Sequence, residues 1–379
     1  MENKICVYAI CKNESKFVEQ WLSNMSEADY IVVLDTGSDD GTFEMLKADP
    51  RVTRVEQKII KPWRFDVARN ESMKLCLDTD ANILMCTDFD EVFEQGWAEQ
   101  IRSQWQEDTC RCFYWYAWNH NERGIPTDVF KYDKCHDREH YVWKYPVHEV
   151  LTTVEGFTEY IDHTINIQTV KLHHYPDNTK QRFYFEPLKL AVRENPKDPH
   201  PLSLLAREYS AMNDLVEAEK CFKKVLKMPA SYEEPFKEVL IYTYYMLAKI
   251  NAVDMKDLQM SIYYLNMFLK VDNTFRDPYL MLADIYNTWK MYDVAVGYIE
   301  QMDKLAYQHY SWVEDTTTWI NRREDILGIA YLGLGKNEEA KPLLQKAVDT
   351  EPTNVRFLQN YIICLQNIIS SASKAREEK

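Results

Sequence analysis

Two apolar runs of strand length, each ending in a polar turn and followed by a stretch of helical period, set the first constraint on this chain. Lys4 to Cys11 (KICVYAIC) meets Lys12-Asn13-Glu14-Ser15, then apolar positions at Phe17, Val18, Trp21, Leu22 and Met25. Tyr30 to Asp35 (YIVVLD) ends in Thr36-Gly37-Ser38-Asp39-Asp40-Gly41-Thr42 before a second helix, Phe43 to Lys47. Strand, turn and helix twice over predicts a parallel sheet whose strand ends open on one crevice. A weaker strand, Val52 to Ile60, follows. Pro62-Trp63-Arg64-Phe65-Asp66-Val67-Ala68-Arg69-Asn70 then enters a helix running to about Leu77, with Asp66 as a candidate N-cap. Arg69, expected in the first turn and so against the dipole preference, is either a solvated helix residue or a guanidinium serving an anion in the crevice.

The densest chemistry lies in Ile83 to Gly96 (ILMCTDFDEVFEQG), where a buried strand delivers Asp88, Asp90 and Glu91. Like charges this close raise one another's pKa unless a cation or a donor network holds them. Asp-x-Asp in an extended turn points both carboxylates to one side, as an oxygen-loving divalent ion requires. The plainer expectation is a helix start, with Asp88 as N-cap and Asp90 and Glu91 in the first turn.

Arg111 to Trp118 alternates aromatic positions as a packed strand does, and Val129 to Val150 reads as an irregular loop ending in His148-Glu149. Later the chain reads Lys171-Leu172-His173-His174-Tyr175. Nine scattered cysteines with no C-x-x-C pair argue against a zinc site or a disulfide framework; Cys110 and Cys112 are expected on one buried strand face. A net charge of -15 argues against nucleic acid as a partner. No run reaches membrane-spanning length, so there is no transmembrane segment to expect, and ICVYAIC is too short for a signal-peptide core, which points to a cytoplasmic protein.

From about Phe185 the texture becomes helical. Leu327-Gly328, Tyr331, Gly335, Ala340, Ala347 and Pro352 match the 34-residue tetratricopeptide template, with further copies at Leu205-Ala206/Tyr209/Ala218/Phe222/Val225 and Leu282-Ala283/Tyr286/Ala295 and a degenerate one around Leu247-Ala248. Val355 to Ile369 reads as a closing helix. The expected domains are 1–184, an α/β sheet domain, and 185–379, an all-α repeat domain. The latter has three expected uses: holding a peptide or protein acceptor, pairing two copies of the chain, or buttressing the first domain.

Four segments, ICKNES (10–15), VVLDTGSDDGT (32–42), WRFDVARNES (63–72) and TDFDEVF (87–93), together with VHEVL and LHHYPD, make the first half resemble the family 2 glycosyltransferases. That family has a GT-A fold, a Rossmann-like, mostly parallel sheet. Within it the chain looks like the bacterial branch carrying tetratricopeptide-type repeats, which includes peptide S-glycosyltransferases.

The resemblance implies a nucleotide-diphosphate sugar donor, a UDP-sugar by preference, with manganese (Mn2+) or magnesium (Mg2+) held on the diphosphate. Carried over, Asp88 faces ribose and metal, Asp90 ligates the metal, and His173 or His174 adds a late ligand. Glu14, Asp35 and Arg69 match positions lining the nucleotide pocket. Many relatives carry a second acid where this chain has Thr36. Glu149, with His148 as the other candidate, matches the general base of inverting transfer. The rival expectations are a non-catalytic repeat scaffold with a degenerate sugar-nucleotide domain and a nucleotidyltransferase. The latter would need a glycine-rich basic loop after the first strand, and Ile10 to Ser15 has no glycine.

Overall fold

The computed structural model describes residues 2–120, 124, 126–160, 163–177, 184–253, 256–306, 309, 314, 318 and 321–377. It contains two compact units, Met1–Pro196 and Lys197–Lys379.

In the first unit the chain runs β1 (Ile5–Cys11), α1 (Val18–Met25), β2 (Tyr30–Asp35), α2 (Thr42–Ala48), β3 (Arg54–Gln57), α3 (Phe65–Lys74), β4 (Ile83–Cys86) and β5 (Glu91–Phe93). It continues through α4 (Trp97–Gln104), β6 (Arg111–His120), β7 (Pro126–Asp137), β8 (Tyr141–Lys144), β9 (Val150–Thr153), β10 (Thr164–His174) and α5 (Phe185–Glu194). Eight strands form one sheet in the order β3-β2-β1-β4-β7-β6-β10-β5, and β8 and β9 form a separate ribbon. The sheet is mixed: β3, β2, β1 and β4 are parallel, β7 runs against both β4 and β6, and β5 runs against β10. The expected mostly parallel sheet therefore holds for the first four strands and for β6 with β10, while the β6–β7 hairpin and β5 bring antiparallel pairs into the other half.

Strand alternation sorts the core into two layers. Ile5, Val7, Ala9 and Cys11 of β1 join Trp21, Leu22 and Trp97 on one face, while Cys6 and Tyr8 join Cys76, Trp143 and Leu151 on the other. Cys110 and Cys112 belong to different layers, because Cys110 precedes the strand instead of alternating within it.

Three sequence expectations are corrected. Glu91–Phe93 is a strand, so Asp88 caps no helix; the helix starts later, at Trp97, behind Gly96. The cap of α3 is Arg64, which leaves Asp66 in the first turn and Arg69 in the second. Much of Val129–Val150 is β7 and β8, since its alternating aromatic and apolar positions pair with β6 and β9.

The second unit is made of helical hairpins: α6 (Pro199–Ala211) with α7 (Leu215–Val225), α8 (Lys237–Ala252) with α9 (Leu258–Val271), α10 (Asp277–Thr288) with α11 (Tyr292–Met302), and α12 (Arg322–Gly333) with α13 (Asn337–Thr350), followed by α14 (Val355–Glu377). Repeat positions Ala206, Ala218, Leu247, Ala248, Leu282, Ala283, Ala295, Ala340 and Ala347 are buried, and the alanines among them let paired helices close up. A Cβ added at Gly328 would lie 2.6 Å from Leu344, which shows how closely α12 and α13 approach. Among the described residues no helix is long and apolar enough to cross a membrane.

Candidate functional site

The chain leaves β1 toward β2 on one side and later returns to place β4 on the other, which makes the gap beyond β1 and β4 the topological switch point where open α/β sheets bind ligands. Three turns meet there. The turn after β1 is stitched to the one after β2: Asn13 donates to Asp39 at 2.8 Å, and Ser38 and Asp40 accept from the Asn13 and Ser15 amides. Asn13 sits at φ 57, a left-handed conformation that asparagine tolerates. Glu14 lies in this turn with its amide on Thr42 Oγ1 at 2.9 Å.

Asp35, fully buried at the end of β2, spends its carboxylate on its own turn. It accepts from the Gly37 and Ser38 amides, the Ser38 hydroxyl, and Gln57 at 2.9 Å. Burial works against its charge, but these donors outweigh it and hold the pKa below the ordinary aspartate value. Gly37 at φ +109 is what lets the chain fold back over that carboxylate.

The acidic turn is held from two sides. Arg69 reaches from α3 and places Nη2 2.9 Å from Asp88 Oδ1, Nε 2.5 Å from Glu149 Oε1, and its guanidinium 5.2 Å from the Trp143 ring centre. Neighbouring Asn70 exchanges two hydrogen bonds with the Trp143 backbone, so α3 ties the acidic turn to the His148-Glu149 loop. From β7, Lys134 Nζ lies 3.0 Å from Asp88 and 3.6 Å from Glu91. Desolvation opposes the charge on Asp88, yet Arg69 and Lys134 outweigh it and depress its pKa strongly. Glu91 goes the other way. Burial raises its pKa with help from Asp88, against the pull of Lys134, while its oxygens accept from the Asp88 amide and the Tyr116 hydroxyl. Phe89, between the two aspartates, stacks on Trp21 at 4.2 Å and fixes the turn to the core.

Asp90 faces a different partner. Strand β5 pairs antiparallel with β10, His174 opposite Glu91, and the Tyr175 amide donates to the Asp90 carbonyl at 2.7 Å. This brings His174 Nε2 to 3.4 Å from Asp90 Oδ2. His174 stacks on Trp118, its Nδ1 lies 3.3 Å from the Trp118 carbonyl, and its Nε2 faces the carboxylate; in the tautomer with the proton on Nδ1, Nε2 turns a lone pair toward Asp90. In that tautomer the carboxylate and the imidazole nitrogen are both ligand atoms of the kind a divalent cation takes. His173 points to the opposite face, with Nδ1 2.9 Å from His120 and Nε2 3.2 Å from Glu94. Among the described residues no cluster of three or more His, Cys, Asp or Glu side chains is placed to hold a metal. Asp90 and His174 nonetheless fit an ion of the magnesium or manganese type, which takes few protein ligands and completes its shell with phosphate oxygens and water.

Glu149 is largely buried on Arg69, and His148 sits beside it at φ 49, with its ring 5.0 Å from Tyr184. The turn thus brings Arg69, Asp88 and Glu149 into one network and Asp90 with His174 into another. Asp35 and Glu14 stay in the neighbouring turns, and His173 lies away from both. Lys134 is the residue the sequence does not single out. Its stretch reads as a loop, and only the burial of β7 turns an ordinary lysine into a counter-charge.

The tetratricopeptide repeat family model matches residues 200–232 and 326–354. Among solved structures, the MamA protein is 19% identical with TM-score 0.34, covering 45% of this chain and 83% of that one. A thermophilic tetratricopeptide protein of Thermus thermophilus is 19% identical with TM-score 0.33, covering 48% and 89%. No curated protein matches the chain. The second unit carries tetratricopeptide-type repeats, which typically mediate protein interactions.

Proposed function

We propose that the first unit is a metal-dependent inverting glycosyltransferase, moving a sugar from a nucleotide-diphosphate donor, UDP-linked by preference, to an acceptor of peptide or protein type. The observation that carries this reading is the Asp90–His174 pair, with Nε2 3.4 Å from Oδ2, beside the Arg69–Asp88–Lys134 network at the switch point. Asp90 and His174 would hold manganese or magnesium, which when bound stabilises a departing diphosphate. Arg69 and Lys134 keep positive charge beside the phosphates, and the turns after β1 and β2 wall the nucleotide side. Glu149 offers Arg69 one oxygen; Oε2 has no partner among the described residues and is the atom to take the acceptor proton. The repeats supply a surface for a polypeptide acceptor.

A second reading, a repeat scaffold with a degenerate sugar-nucleotide domain, draws on the fact that Arg69 occupies both Asp88 and Glu149. Thermal-shift screening of UDP-sugars with manganese, followed by product mass, separates the two. An upward shift with turnover that Asp90→Ala abolishes supports the enzyme. A shift without turnover supports the scaffold. No shift with any nucleotide sugar removes the sugar-nucleotide site altogether.

A further inference from the structure

The last helix carries two apolar faces where a closing helix needs one. On the inner face, Phe357, Tyr361, Cys364 and Ile368 follow helical spacing, and Tyr361, Cys364 and Ile368 pack with Ala340 and Leu344 of α13. A second row, Val355, Leu358, Ile362, Leu365 and Ile369, recurs at alternating steps of three and four residues. Three of the five face water, Val355 at 65% exposed, Ile362 at 50% and Ile369 at 66%, while Leu358 and Leu365 are half-buried. The inner row has the same three-and-four spacing, so what sets the second row apart is its exposure and its residue types.

We infer that this row is a homodimer seam, in which α14 packs along α14 of a second copy of the chain. Three features favour a like helix over another occupant. First, β-branched Val355, Ile362 and Ile369 at the a positions alternate with Leu358 and Leu365 at d, the arrangement that favours two parallel strands. Second, Arg356 is the one charged residue between 355 and 373, in a chain that is 28% charged with a net charge of -15. Arg356 is itself turned back onto Asp284 and Asp325. Two copies can therefore meet along this row with little charge repulsion, and its flanks, Gln359 and Gln366, add none. Third, a free peptide of this length would be a marginal helix, whereas here α13 already holds the helix formed, so pairing does not have to order it. A two-fold axis along the seam makes each copy's row its own complement. The aromatic stretch Ile241–Met246, the other candidate interface in the sequence, is spent inside the unit, where Ile241, Tyr244 and Tyr245 are buried.

Sedimentation of the full chain across the micromolar range tests this. The expected result is a species of twice 45.1 kDa that becomes a 45.1 kDa monomer in the Ile362→Glu/Ile369→Glu variant with its circular dichroism unchanged. Should that variant misfold, Ile362→Cys alone decides: mild oxidation should give a disulfide-linked dimer, whereas Tyr263→Cys on exposed α9 should not. A wild-type monomer throughout the range, a glutamate variant that stays dimeric, or equal cross-linking of the two cysteine variants would each overturn the proposal.

Discussion

At the scale of single residues, the fold rests on charges that only partners make tolerable. Replacing Lys134 by Met leaves Asp88 and Glu91 side by side without their shared cation. Removing one partner of a buried ion pair costs about 3 kcal/mol, so stability at neutral pH should drop by roughly that much, and part of the loss should return as the pH is lowered and Glu91, its pKa raised by burial, takes up a proton. Urea titrations at the two pH values read this directly. His136 supplies a second test. It is fully buried between the Tyr8 hydroxyl and the Asp137 carbonyl, and burial pushes its pKa from 6.5 down to about 4. The unfolded chain therefore binds that proton first. Its contribution is complete above pH 6.5 and drains away as the pH falls toward 4, by roughly 3 kcal/mol in all. His136→Gln should flatten that part of the stability profile.

At the scale of elements, the repeats turn small residues into geometry. A methyl at Gly333 would lie 2.2 Å from the Tyr292 ring and one at Gly328 2.6 Å from Leu344, whereas Gly297 in α11 has nothing within 4 Å. Gly328→Ala and Gly333→Ala should each cost about 1–3 kcal/mol through overpacking. Gly297→Ala should stabilise by about 0.5–1 kcal/mol, since only the backbone-entropy gain remains. Thermal unfolding of the three variants would order them so. Elements are also where the sequence is most and least legible. β1, β2 and the buried repeat positions can be read from apolar period alone. β7 cannot, because aromatic and charged residues alternate in a strand whose partners lie elsewhere in the chain. The choice between His173 and His174 is likewise hidden: adjacent residues of a strand face opposite ways, and only the register of β10 on β5 says which meets Asp90.

At the scale of the whole molecule, two units with separate cores should unfold in separable steps. A nucleotide sugar with manganese that binds the first unit should raise one calorimetric transition and leave the helical one in place, and Asp90→Ala should erase the shift. The motif segments point to the switch point but not to its wiring: Arg69 draws notice in the sequence as a first-turn cation, yet it lies in the second turn, and its double grip on Asp88 and Glu149 depends on α3 being strapped to Trp143 by Asn70.

The three-residue strand β5 has a kinetic corollary. Asp90 meets His174 through the pairing of β5 with β10, which brings together segments about eighty residues apart, so this pair should be among the later contacts to form. If the pair holds a divalent ion, as proposed, its uptake during refolding would mark the moment the sheet is complete and would lag behind the return of helical signal from the repeats.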